Sequence, residues 1–210
     1  MSYTTNYTDE NGCTREVSIT EEDSIEALKN DYQAILRQYN PKYVRIQRVQ
    51  ADTGEALHLK VTVNAPSHYL TSMKDSSPKP CNSMTVDIVC YPGYPLKSAT
   101  AAYANDRYLA SPNVFRSGSA CIDTWIPFSS SLVTVVEKLV RDMIHDPSVT
   151  RYDSMANDSV CQWHKDGVAA GRFPTINPKL LFAPEIPALP PRRTDRGCST
   201  TPPPLPGRRH

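Results

Sequence analysis

The 210-residue sequence has no long apolar run. No stretch approaches the roughly 20 residues that cross a bilayer, and the opening MSYTTNYTDENG lacks a charged start followed by an apolar segment. A soluble, cytoplasmic protein with no membrane partner is the expectation. The six cysteines, at 13, 81, 90, 121, 161 and 198, form no CxxC pair and no Cys/His spacing of the kind tetrahedral zinc uses. A structural metal is not expected, and a reducing compartment would leave these cysteines as thiols. An excess of one charge is also missing: 23 Lys/Arg face 22 Asp/Glu, net +1. Without a clustered basic face the chain does not read as a nucleic-acid binder.

Composition changes after Gly167. Residues 168–210 hold ten of the nineteen prolines and seven Lys/Arg against two acids, with no apolar period. Such a segment buries too little surface to offset its ordering entropy, so it reads as a flexible, basic tail. Within it PALPPRR, 187–193, fits a polyproline ligand followed by arginine, or simply a linker. Residues 1–167, with net charge −4, then form one domain of ordinary size, of which 1–19 read as a flexible lead-in.

Ile25, Leu28, Tyr32, Ile35, Leu36 and Tyr39 recur at helical spacing, acids crowd the first turn, and Asn40-Pro41 stops the run. Three alternating stretches follow, 43–49, 57–63 and 84–90, and 97–104 is a candidate fourth. The next apolar stripe, Leu132, Val135, Val136, Leu139, Met143 and Ile144, predicts a helix with serines before it and Pro147 after it. A last helix is predicted over about 153–165, with Gly167 as its stop. Strands grouped together with helices at the ends give an α+β fold: an N-terminal helix, an antiparallel sheet of about four strands, a long loop and two C-terminal helices.

The irregular stretch 103–128 is too long for a plain connector and holds Trp, Pro, Ile and Phe, so it reads as a packed functional loop. At its centre lies Cys121, eight residues after Asn113 and three after Gly118. Most unpaired cysteines are small packed apolar residues, and that reading, or simple exposure, suits the other five. In a loop, off any apolar stripe, Cys121 is a candidate nucleophile.

The motifs in this region resemble those of ubiquitin-conjugating enzymes. CYPGYP (90–95) is similar to the family's Tyr-Pro turn, SPN (111–113) to its His-Pro-Asn, and GSACID (118–123) to its Gly-x-x-Cys-Leu-Asp; WIP (125–127) and HDP (145–147) follow in order. The resemblance covers roughly 20–167. It departs at Ser111, where the family has His, in the stretch 64–83, and in only three residues between Cys121 and Trp125. These departures together imply a divergent member, and the pattern resembles bacterial relatives found with ubiquitin-like modifiers in antiviral defence systems.

The resemblance implies a transferase in which Cys121 receives a ubiquitin-like modifier as a thioester from an activating enzyme and yields it to an amine on a target protein. No cofactor is implied, since ATP chemistry belongs to the activating enzyme. A thiol with pKa ~8.5 suits both attack and departure. Asn113 holds the family's position for an amide that stabilises the oxyanion or orders the loop; a bare Asn after Pro also closes turns on its own backbone. Asp146 and Asp153 lie near the place of an acid that assists the incoming amine, and Asp153 fits an N-cap equally well. Asp123 reads as a loop acceptor. His145 and His164, expected at helix ends in a dipole role, admit a cysteine-hydrolase reading, which the missing sequence context around Cys121 disfavours. A catalytically inactive binding module, suggested by Ser111, is the remaining alternative.

Overall fold

The computed structural model describes residues 1–8, 12–72, 77–103, 107–115, 117–121, 131–153 and 155–184. In chain order it contains a hairpin of β1 (Ser2–Thr8) and β2 (Thr14–Thr20), then helix α1 (Glu21–Gln38). Strands β3 (Val44–Val49), β4 (Leu57–Val63), β5 (Ser67–Leu70), β6 (Lys79–Cys81), β7 (Met84–Cys90), β8 (Thr100–Tyr103) and β9 (Tyr108–Leu109) follow, and α2 (Leu132–Asp142) and α3 (Cys161–Ala169) close the domain. The fold is α+β, with an N-terminal helix, a four-stranded antiparallel sheet and C-terminal helices, as the periodicities predict.

The main sheet has the order β3-β4-β7-β8. Alternation sets its register: Leu59 faces Ile88 and Val61 faces Val86, all fully buried on one side, while His58, Lys60 and Asp87 gather on the other. The buried face meets the stripe of α2, whose Val135, Val136, Leu139 and Val140 share the same core cluster. Helix α1 starts where Thr20 accepts from the Asp23 N–H at 3.1 Å, and it buries Leu28 and Ile35. Asp31 on α1 reaches the start of α2: the Leu132 N–H donates to its Oδ2 at 2.9 Å and to the Tyr94 hydroxyl at 2.7 Å, and Tyr94 in turn donates to Asp31. An orphan amide at the helix start is thereby satisfied across the core.

Four features differ from the sequence reading. Residues 2–8 and 14–20 are a paired hairpin rather than a flexible lead-in, and the Tyr3 ring lies against Gly93. A further sheet, β6-β5-β9, takes two of its strands, β5 and β6, from the stretch 64–83 where the motif resemblance departs. The last helix begins at Cys161, not near 153, because the amides of Ala156 and Asn157 both donate to the Pro112 carbonyl, at 2.8 and 3.1 Å, which holds that stretch off helical pairing. Gly167 lies inside α3 against the Phe173 ring; the stop is Gly171, at φ +66, where the Gly171 N–H bonds the Val168 carbonyl and the Arg172 N–H bonds that of Gly167.

The domain also runs past 167. Phe173 and Leu181 are buried, Phe182 stacks on Tyr39 with ring centroids 5.5 Å apart, and the Ala183 N–H donates to the Gln38 carbonyl at 2.8 Å. Phe173, Leu181 and Phe182, set among the prolines of this segment, therefore pack against the domain instead of beginning the tail. PALPPRR and Cys198 lie outside the described residues. Among the described residues no helix is long and apolar enough to cross a membrane.

Candidate active site around Cys121

Pro112 and its neighbours form a tight turn: the Val114 N–H donates to the Ser111 carbonyl at 3.2 Å and the Asn113 N–H to Ser111 Oγ at 3.0 Å. The chain then doubles back. Val114 bridges Ala120, the Phe115 N–H donates to the Ser119 carbonyl at 2.8 Å, and the Cys121 N–H donates to the Asn113 carbonyl at 2.7 Å. The eight-residue interval from Asn113 to Cys121 is thus the length that lets both ends meet in a narrow loop.

Strand β8 holds this loop from one side. The Ala120 N–H donates to the Ala101 carbonyl at 2.8 Å and the Tyr103 N–H to the Gly118 carbonyl at 3.0 Å. Gly118 sits at φ +85, and a Cβ there would lie 2.6 Å from the Tyr108 ring, so conformation and space both require glycine. Cys121 is half-buried at the end of the loop. Asp123 and the WIP segment lie outside the described residues.

A buried carboxylate holds the turn from the other side. Asp142, in the last turn of α2, accepts from Ser111 Oγ at 2.7 Å and from Asn113 Nδ2 at 3.0 Å, both at Oδ1. Asn113 Nδ2 also donates to the Val149 carbonyl at 3.3 Å, so both amide hydrogens have acceptors. Asp142 is 2 % exposed. Burial pushes its carboxyl up to about 6, against the opposing pull of Ser111, Asn113 and Lys138. The buried Tyr103 hydroxyl has no hydrogen-bond partner among the described residues, and burial together with the charge of Asp142 raises its pKa well above the usual value.

Asp142 was not among the sequence candidates, yet a signal for it exists. It lies three residues after Leu139 and seven after Val135, on the apolar stripe of α2. A lone acid on a buried stripe calls for a partner, and the partner is the Ser-Pro-Asn turn.

The other candidates are placed elsewhere. Asp146 is 5 % exposed, paired with Arg141 at 3.0 Å, and accepts from the Ser148 N–H at 3.0 Å. It caps the short helix after α2. Asp153 is solvent-exposed, and the Arg151 guanidinium, 3.2 Å away, pulls its carboxyl below the usual range. It does not cap the last helix: Asn157 accepts the Ser159 N–H at 3.2 Å and caps the short 3-10 turn before α3, and α3 itself, starting after Val160, has no side-chain cap. His145 and His164 are not at helix ends in a dipole role. Both are fully buried in an aromatic cluster with His68, Trp163 and Phe173.

None of their ring nitrogens pairs with Cys121. His145 Nε2 lies 3.3 Å from His68 Nδ1, His164 Nδ1 lies 2.7 Å from the Tyr152 hydroxyl, and His145 Nδ1 and His164 Nε2 are buried with no hydrogen-bond partner among the described residues. Burial holds His145 well below its ordinary pKa and lowers His164 to about 4. Neither His145 nor His164 therefore forms a thiolate–imidazolium pair with Cys121. Among the described residues no cluster of His, Cys, Asp and Glu could hold a metal ion.

No protein-family model and no curated protein matches the chain. Solved structures similar to it include S. cerevisiae Ubc12, at 14 % identity over 71 % of this chain and 75 % of that one, with a TM-score of 0.49. Human ubiquitin-conjugating enzyme E2 G1 matches at 15 % identity over 61 % of this chain and 99 % of its own, TM-score 0.40. The E2 domain of a Toxoplasma gondii ubiquitin conjugating enzyme matches at 16 % identity over 79 % and 100 %, TM-score 0.39. At these identities and TM-scores the likenesses carry no functional weight.

Proposed function

We propose that the protein is a ubiquitin-conjugating-like transferase in which Cys121 carries a ubiquitin-like modifier as a thioester. The observation that supports this best is the Cys121 N–H to Asn113 carbonyl bond at 2.7 Å, which closes the motif interval into a loop held by β8 and by Asp142. Such a loop holds the backbone of a half-buried cysteine in one place, which favours a reacting geometry.

In the loading step Cys121 Sγ, as thiolate, attacks the carbonyl carbon of the thioester that joins modifier and activating enzyme. A new C–S bond forms and the activating enzyme's thiolate leaves. In the transfer step a neutral amine of the target attacks the same carbon, the amide C–N bond forms, the C–S bond to Cys121 breaks, and the amine proton passes to solvent or to the departing thiolate. In the resting state Asn113 spends both amide hydrogens on Asp142 and Val149, which favours loop ordering as its role; donation to an oxyanion would require one of those bonds to open.

The test is charging of the full chain with an activating enzyme, ATP and a ubiquitin-like protein from the same genome. Wild type should give a conjugate that a reducing agent cleaves, and Cys121→Ser one that resists it, since an oxyester replaces the thioester. Wild type remaining uncharged by partners shown to be active on each other would leave the inactive binding module as the reading. ATP-independent cleavage of a modifier fusion would support the hydrolase instead.

A further inference from the structure

The arrangement around Asp142 is more expensive than the fold requires. Its carboxylate is 2 % exposed and its ionised form is disfavoured by burial. An asparagine of the same shape could accept both hydrogen bonds at Oδ1 without bringing a charge into the core. The side chains it receives are Ser111, standing where the resembled family has His, and Asn113, whose carbonyl holds the Cys121 amide. The titratable and charged groups that act on it are Lys138, on its own helix, and Tyr103, on β8.

We propose that Asp142 is a positioning residue for the candidate transfer reaction: its ionised carboxylate clamps Ser111 and Asn113, and through the Asn113 carbonyl fixes the backbone that presents Cys121. A hydrogen bond to an ionised acceptor is roughly twice as strong as one to a neutral acceptor, so the clamp tightens when Asp142 loses its proton. The residue touches neither modifier nor target and acts only through the turn. The inference rests on the reading of Cys121 as the acyl carrier, and it predicts that transfer acquires a pH dependence belonging to a group outside the reacting atoms.

The test uses the full chain as wild type, Asp142→Asn and Ser111→Ala. Release of the modifier from Cys121 to free lysine is followed in single turnover from pH 5 to 8, with the apparent KM for the activating enzyme measured alongside. Wild type should outpace Asp142→Asn about tenfold at pH 8, as expected for loss of charge-assisted hydrogen bonds, and the two should converge below pH 6 with KM unchanged. Ser111→Ala should be slower than wild type but keep the same pH-dependent ratio to it.

A second readout separates this inference from the transferase reading. Alkylation of Cys121 by iodoacetamide, measured relative to the exposed Cys13 in the same chain, needs no modifier and should show the same divergence of wild type from Asp142→Asn above pH 6. Divergence in alkylation with no modifier loading would uphold the clamp and overturn the transferase. Normal loading with a wild-type to Asp142→Asn ratio that is flat in pH would overturn the clamp alone.

Discussion

The Cys121 amide donates to the Asn113 carbonyl at 2.7 Å, so the two residues that the motif separates by eight positions face each other across a narrow loop. That contact turns a spacing in the sequence into a geometry.

Gly118 makes the turn back toward Cys121. Gly118→Ala places a side chain at φ +85 and 2.6 Å from the Tyr108 ring. It should destabilise the protein by about 1–3 kcal/mol, measured by urea denaturation, and disturb the Cys121 loop most, measured by amide exchange of 113–121. Gly54→Ala is the matched control: it has a similar φ of +91 but nothing within 4 Å, and should leave the 113–121 exchange unchanged.

Gly167→Ala tests the late packing of the chain. Its Cβ would fall 2.2 Å from the Phe173 ring, which stacks among His145, His164 and Trp163. Overpacking of this kind should lower stability by roughly 1–3 kcal/mol. Loss of the segment 173–184 from the core should show as faster proteolysis there, with the β4–β7 pairing intact.

The histidine cluster makes the fold sensitive to acid. Burial depresses the folded pKa of His145 and His164, the latter to about 4, below the ordinary 6.5 of the unfolded chain. The unfolded state therefore binds protons first as pH falls. The cluster's contribution is fully present above pH 6.5 and lost progressively as pH falls toward 4. The melting temperature should drop across that window, and His164→Gln should make the drop shallower.

Asp142 works in the opposite sense. Its folded pKa, about 6, lies above the ordinary 3.8, so the folded state holds the proton longer. Wild type should lose stability relative to Asp142→Asn as pH rises from about 4 to 6, by about 3 kcal/mol in all. A variant more stable at pH 8 yet slower in transfer would mark the carboxylate as kept for activity. Denaturant midpoints of both proteins at pH 4 and pH 8 measure it.

The sheet and the first two helices were legible because burial there follows a local period. In 57–63 and 84–90 every second residue is buried, and α2 carries its apolar stripe where the spacing puts it. The N-terminal hairpin was hard to read because its alternating apolar residues, Tyr3, Tyr7, Val17 and Ile19, are few and only half-buried. The start of α3 and the packing of Phe173 and Leu181 depend on distant groups: the Pro112 carbonyl for the one, the core beside α1 and α3 for the others. At the candidate site, Cys121 and Asn113 stand out through the motif resemblance of GSACID and SPN. Asp142 was missed because a charge beside Arg141 in a helix reads as solvated until its place on the apolar stripe is noticed.

The most direct measurement is the intact mass of the full chain after incubation with ATP, activating enzyme and a ubiquitin-like protein of the same genome, for wild type and Cys121→Ala. The account predicts an adduct of modifier mass on wild type that a reducing agent removes, and none on Cys121→Ala. The same adduct on Cys121→Ala, or none on wild type while the activating enzyme charges itself with the modifier, would contradict it.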